Sequence, residues 1–289
     1  APHVQDEDPA QYLPSPETLP LYADIEIPPV ARAGTEDIKR FPAALQHSES
    51  RRRWAVRFST PELYQASVKG YFRLVSGIDA AVGSIRQKLA TLGLAENTII
   101  VYSADHGIFN GEHGFAGKWY AHEESIRIPL IIYDPRASQN LRGQRREQMT
   151  LNIDLQPTVL ELAGLQSAPA VQGRSLVSLL RDETEEGRQL WFYEHHFPYN
   201  GWIPSSAGIR TRRWKYVHYT DAASPFEELY DLEHDKFETN NLAGKPEYTA
   251  QQRILTHYWQ VWHESLRQSN QTGWKEPVGA NDLKRDGLI

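Results

Sequence analysis

Between Thr60 and Tyr133 the hydrophobic period of the chain switches from helical to strand-like, and that switch constrains the fold more than any other feature. Thr60-Pro61 supplies an N-cap followed by a proline at the first helical position. Tyr71, Val75, Ile78, Val82, Ile85, Leu89 and Leu92 then recur at steps of four and three, which draws one apolar stripe along an α-helix. Gly93 is placed to end that helix in the left-handed conformation. The next run, Thr98-Ile99-Ile100-Val101-Tyr102, is apolar on both faces, as a buried parallel strand would be. A second such run, Pro129-Leu130-Ile131-Ile132-Tyr133, follows a polar, glycine-rich loop at 104–128. Helix into buried strand, repeated across a loop, is α/β architecture.

The flanking regions have a different texture. Residues 1–60 are rich in proline and charge, include the basic run Arg51-Arg52-Arg53, and show no sustained period, so they read as a long irregular segment beside a site. Asp154 to Ala163, with Pro157 in the first turn and Gly164 after the last, predicts a short helix, and Ser175 to Leu180 another. Beyond Arg188, the runs Trp191-Phe192-Tyr193, Gly208 to Tyr219 and Glu228 to Leu232 predict a small antiparallel sheet. A final helix is expected over Glu247 to Leu266, its buried face formed by Ile254, Leu255, Tyr258, Val261, Trp262 and Leu266. The expected division is a catalytic domain at 1–187 and a small α+β subdomain at 188–289.

Composition removes several function classes. The 289 residues carry 31 Lys+Arg against 37 Asp+Glu, a formal charge of −6, which disfavours a nucleic-acid partner. No stretch approaches the ~20 apolar residues that cross a bilayer, so no membrane partner is expected, and APHVQDEDPAQ lacks the basic start and apolar run of a signal peptide. The chain has no cysteine, which excludes disulfides, thiolate metal sites and a cysteine nucleophile.

The densest polar cluster runs from Ser103 to Lys118, at the carboxyl end of the first strand, the edge where α/β sheets bind ligands. Asp105 and His106 offer a hard oxygen beside an imidazole nitrogen, a pair that suits a divalent cation once other carboxylates join it. The bland alternative is a polar turn capped by Asp105 with a core histidine. Lys118 could place a positive charge on an anionic substrate. A zinc trio of His106, His113 and His122 is disfavoured because zinc spacings are tighter, which leaves His113 and His122 structural or in contact with substrate. His195 and His196 end a strand and point to opposite faces, so at most one can face a site. The loop after them holds Tyr199 and Trp202, an aromatic rim that could pack on a sugar ring or simply on itself.

The stretch 97–135, NTIIVYSADHGIFNGEHGFAGKWYAHEESIRIPLIIYDP, resembles the C-terminal half of type I sulfatases, members of the alkaline phosphatase-like superfamily. APH at 1–3, IDLQPTVLELAGL, QGRSLVSLL, GIRTRRWKYV and LYDLEHDKFETNNLA resemble further segments of that family, in the family's order. The resemblance implies an alkaline phosphatase-like sandwich whose mostly parallel central sheet is incomplete here, with a small C-terminal antiparallel sheet and a terminal helix. It further implies that Asp105 and His106 bind a divalent metal, calcium being the family's usual ion, and that Lys118 clamps the sulfate ester. His3 would contact the sulfate or protonate the leaving oxygen. Separately from the resemblance, the position of His195 and His196 at a strand end and the aromatic loop with Trp202 suggest contacts to a sulfated saccharide, to which His113 is added as a substrate-binding candidate.

The family nucleophile is a formylglycine made within C/S-x-P-S/A-R, and two further metal-binding aspartates come from a first strand. No serine here begins that motif. The expectation is therefore the C-terminal part of a sulfatase, inactive alone, whose partner is the missing N-terminal sulfatase segment; the family implies a periplasmic or secreted location. Two alternatives stand beside it: a phosphodiesterase or phosphonate hydrolase of the same superfamily, and a non-catalytic protein that holds sulfated glycans.

Overall fold

A computed structural model of the chain describes residues 2–30, 36–183, 187–197, 203–220, 225–268 and 277–288. It divides into two compact units, Ala1–Arg136 with Tyr199–Ile203, and Ala137–Pro198 with Pro204–Ile289. The sequence grouped 137–187 with the first domain. In the structure that segment is tied to Arg188, just before the C-terminal sheet, by the Asp154–Arg188 ion pair and a bridge from Met149, and to the sheet itself by Arg210, which donates to the Met149 sulfur at 2.9 Å.

In the first unit, residues 2–30 run as turns and extended chain, but much of 37–57, expected to be irregular, is helical. It forms α1 (Ala43–Gln46) and α2 (Glu49–Arg57), the latter opened by Ser48, whose hydroxyl accepts from the Arg51 amide. The Arg51-Arg52-Arg53 run hid this helix, because like charges in a row carry no period. Glu49 offsets them at i+3 and i+4, bonding Arg52 and Arg53. Next, α3 (Pro61–Thr91) starts where Thr60 caps the Leu63 amide at 3.2 Å and stops before Gly93 at φ 69°. Its first turns pack Tyr64 and Val68 against Trp54, Phe58, Ile27 and Ala116. Gln65 gives the extended chain at Ile27 a substitute strand partner, accepting from its amide at 3.0 Å and donating to its carbonyl at 2.7 Å.

Beyond those first turns the predicted buried stripe is largely uncovered: Ile85 is 57% exposed and Leu92 56%. The two predicted strands form, as β1 (Ile100–Ser103) and, after β2 (Phe109–Asn110), β3 (Ala116–Gly117) and α4 (Glu123–Ile126), β4 (Leu130–Tyr133). Neither is buried on both faces, and Ile131 is 61% exposed. The expected parallel pairing gives way to an antiparallel β1–β4 ladder, and no parallel pair occurs among the described residues. A parallel neighbour needs a crossover, usually a full helix, whereas this connection holds only the short β2–β3 hairpin and the four-residue α4.

The second unit opens with α5 (Leu155–Leu162) and α6 (Val177–Leu180). It continues into the predicted antiparallel sheet, β5 (Leu190–His195), β6 (Ser206–Thr211), β7 (Trp214–Tyr219) and β8 (Phe226–Asp231), paired in that order. Alternation along the strands sends Ile209, Trp214, Tyr216 and Leu229 to one face. There α7 (Thr249–Gln268) covers them with Leu255 and Tyr258, and Trp262 of the same helix stacks on Phe192 at 4.3 Å. α8 (Ala280–Arg285), which no sequence period announced, closes the edge with Leu283. Among the described residues no helix is long and apolar enough to cross a membrane.

The opposite face of β7 and β8 buries charge. Lys215 pairs with Glu238 at 2.7 Å, and Glu228 accepts from Tyr219 at 2.8 Å and Tyr230 at 3.2 Å. Burial, aided by the Glu238 charge, pushes the Glu228 carboxyl up to about 7 against the pull of its tyrosine partners. The folded state therefore keeps a proton that the unfolded chain loses near 4.5, so stability is greatest below that pH and falls as pH rises towards 7. Urea unfolding at pH 5 and pH 7.5 should show a loss that Glu228→Gln removes; the same loss in the variant would show that other groups cause it.

Candidate active site

The carboxyl end of β1 leads directly into Asp105, His106 and Gly107. Gly107 has no room for a side chain, since a Cβ there would sit 2.2 Å from the Glu124 carbonyl, and its amide donates to the Ser125 carbonyl at 2.7 Å. The loop is thereby pressed onto α4. The His106 Nδ1 lies 2.7 Å from the Gly107 carbonyl, which can only accept, so Nδ1 carries the proton and Nε2 presents its lone pair. Lys118, just past β3, donates to that Nε2 at 2.7 Å, and the Asp105 carboxylate lies 3.4 Å from it. His3 repeats the device: its Nδ1 is held by the Val4 carbonyl at 2.6 Å and its Nε2 faces Lys118 at 3.5 Å. The structure thus brings His3 and His106 to the Lys118 ammonium, with Asp105 beside His106. Partial burial pulls the Lys118 pKa below the ordinary lysine value, more than the Asp105 charge restores.

A buried aromatic box holds the base of the β2–β3 hairpin. Phe109 and Phe115 meet at 5.6 Å, Phe115 and Tyr120 at 4.8 Å, and His113 and His122 at 4.7 Å. His113, expected at the substrate or in a structural role, is 1% exposed, with Arg40 on its Nδ1 and Glu124 3.2 Å from its Nε2. Both ring nitrogens are engaged, so here it braces the hairpin. The same bond gives Glu124, read from sequence as part of a solvated helix start, a structural partner.

His195 ends β5 and His196 follows it, and the two have different partners. His195 Nε2 lies 2.9 Å from the Phe197 carbonyl, and His196 pairs with Glu194, the carboxylate that also meets His263 of α7 at 3.3 Å. Trp202 and Tyr199 lie outside the described residues.

Asp105 and His106 suit two positions of a cation cage, a carboxylate oxygen beside an imidazole whose tautomer a carbonyl fixes and whose Nε2 lone pair, taken by Lys118 in this structure, a cation would have to claim from that ammonium. Calcium takes six to eight oxygens, so these residues supply only a share of its ligands. Among the described residues, one group of three or more His, Asp or Glu side chains could converge on an ion: Asp231, Glu233 and His234. Arg213 already lies against both carboxylates there, at 2.7 Å and 3.4 Å, and offsets half of their charge.

Two family descriptions match the chain: "Sulfatase" over residues 20–165, and "N-sulphoglucosamine sulphohydrolase, C-terminal" over residues 111–264. The chain belongs to the sulfatase family. An N-acetylglucosamine-6-O-sulfatase of Bacteroides thetaiotaomicron is 34% identical to it over 221 residues, covering 74% of this chain and 38% of that one. A solved structure in complex with its substrate D-glucosamine-2-N,6-O-disulfate shares 25% identity at a TM-score of 0.73, covering 90% of this chain and 64% of the other. A phosphonate monoester hydrolase from Silicibacter pomeroyi superposes at a TM-score of 0.71 and 25% identity, covering 88% and 55%. This chain therefore spans less than half of the curated relative's length, and its mixed α/β fold, with the C-terminal four-stranded sheet and terminal helix, is that of the sulfatases.

Proposed function

We propose that this chain is the C-terminal part of a sulfatase that hydrolyses sulfate monoesters of a saccharide. The observation that carries this reading is the convergence of two imidazole nitrogens on the Lys118 ammonium at the end of β1, with the Asp105 carboxylate beside one of those imidazoles. Lys118 clamps the sulfate and offsets the negative charge that builds on its oxygens. His3, whose Nε2 is a bare acceptor beside an ammonium, takes a proton and hands it to the leaving oxygen. Asp105 and His106 hold a divalent cation, calcium by family habit, which when bound polarises the sulfate oxygens. The nucleophile, a formylglycine, and the remaining metal ligands come from a segment beyond these 289 residues. The apolar side chains left exposed on α3, β1 and β4 support such a segment packing there. His195, His196 and Trp202 are assigned to the saccharide.

The relative whose substrate is a glucosamine disulfate favours a sulfated amino sugar. The phosphonate monoester hydrolase favours the second reading, a phosphonate or phosphodiester hydrolase built on the same clamp. Codons upstream of Ala1 should encode C/S-x-P-S/A-R and an aspartate pair. The protein expressed with that segment should release sulfate from glucosamine 6-sulfate and lose the activity on chelation. Hydrolysis of a phenyl phosphonate ester with no sulfate release would select the second reading, and the lack of either activity would overturn both.

A further inference from the structure

We propose that Arg53 is a positioning residue that sets the spacing between His3 and Lys118; the inference rests on the sulfatase reading only in giving that spacing a function. His3 and Lys118 are 115 residues apart in sequence and lie on segments with no ladder between them. Helix α2 grips both segments. On the Lys118 side, Ser50 Oγ donates to the Ala116 carbonyl at 2.9 Å and Arg51 donates to the Gly114 carbonyl at 3.0 Å. On the His3 side, Arg57 bonds the Asp6 carboxylate and donates to Gln11 at 2.8 Å.

Arg53 joins the two sides through one guanidinium. Its Nη1 pairs with Asp6, three residues after His3, at 2.9 Å, and its Nε donates to Glu49 at 2.8 Å. The face of the same group lies 4.8 Å from the ring centre of Trp119, the residue after Lys118. Trp119 has φ 91°, a conformation that L-residues adopt only when contacts hold them, and Gly117 leaves the space its ring occupies, since a Cβ there would lie 3.1 Å from it. A guanidinium can bond carboxylates with its edge and stack with its face at once, which an ammonium cannot. Arg52, next to it, is mostly exposed and reaches Glu49, so the function is specific to one arginine of the run.

The chain has no cysteine, so paired thiols can be introduced without background. His3→Cys with Lys118→Cys should join rapidly under a short thiol-to-thiol cross-linker. Adding Arg53→Gln or Asp6→Asn should slow that reaction about tenfold as the segments separate. Arg53→Lys, which keeps the Asp6 charge pair, should restore part of the rate, and Arg52→Gln should leave it unchanged; circular dichroism checks that each variant is folded. An unchanged rate in folded Arg53→Gln or in Asp6→Asn, or no cross-link in the parent pair, overturns the proposal. In the enzyme completed by its nucleophile segment, Arg53→Gln should lower kcat roughly 10- to 100-fold with KM within about twofold, and Arg53→Lys should recover part of it. A slowed cross-link with unaltered kcat would overturn the functional half. If the completed wild type hydrolyses no sulfate ester, the sulfatase reading fails while the cross-linking result still decides what Arg53 holds.

Discussion

Replacing Lys118 with methionine in the completed enzyme should lower kcat for an aryl sulfate about 10²- to 10³-fold, the loss typical when one preorganised charge-stabilising donor is removed. The ammonium is already placed at the end of β1, 2.7 Å from the His106 Nε2 and 3.5 Å from the His3 Nε2, so water is a poor substitute. Because partial burial lowers the Lys118 pKa, the clamp is charged below that value and lost above it. The alkaline limb of kcat/KM should therefore lie below the ordinary lysine value of 10.5 and vanish in Lys118→Met. A variant retaining most of its kcat would remove Lys118 from the chemistry.

Asp154→Ala should cost about 3–5 kcal/mol of stability, a large share of the 5–15 kcal/mol that holds a typical domain together. Asp154 is 1% exposed and uses both carboxylate oxygens. It accepts from the Leu151 amide at 2.8 Å, the Arg174 amide at 2.7 Å and the Arg188 guanidinium at 2.6 Å. Removing it strands a buried cation and two amide donors at the start of α5. Urea denaturation measures the loss, and Arg188→Met added to Asp154→Ala should recover part of it by removing the stranded charge. A loss below about 1 kcal/mol in the single variant would show that water reaches the site.

How much of the site was legible depended on sequence distance. Asp105, His106 and Lys118 lie within one loop after one strand, where the edge of an α/β sheet makes ligand-binding residues expected. His3 is read as an end of the chain by composition alone, and only the family motif gave it a role. Arg53 was visible solely as charge. The signal that could have found it was Ser48 followed by Glu49, with Trp54 and Phe58 four apart, a capped amphipathic helix whose period the arginines obscured. For His113 the residues left a structural role and a substrate contact both open, because its burial depends on Phe41, Phe109 and Arg40 closing over it from elsewhere in the chain.

By itself the sequence determined the local elements: the capped start of α3 at Thr60, its stop at Gly93, the antiparallel C-terminal sheet, though read as three runs where Gly208 to Tyr219 in fact holds two strands, and the amphipathic face of α7. These follow from dihedral preferences and hydrophobic period, which act between residues a few positions apart. Only the tertiary structure decided what covers an apolar face and which polar groups meet. The stripe on α3 and the strands β1 and β4 carry the pattern of a buried core and yet are exposed, because burial is set by whatever packs against a face and not by the face itself. The same holds for the active site: the approach of His3 to Lys118 across 115 residues comes from Asp6, Arg53 and Trp119 meeting on one helix, and no period along the chain encodes a contact of that kind.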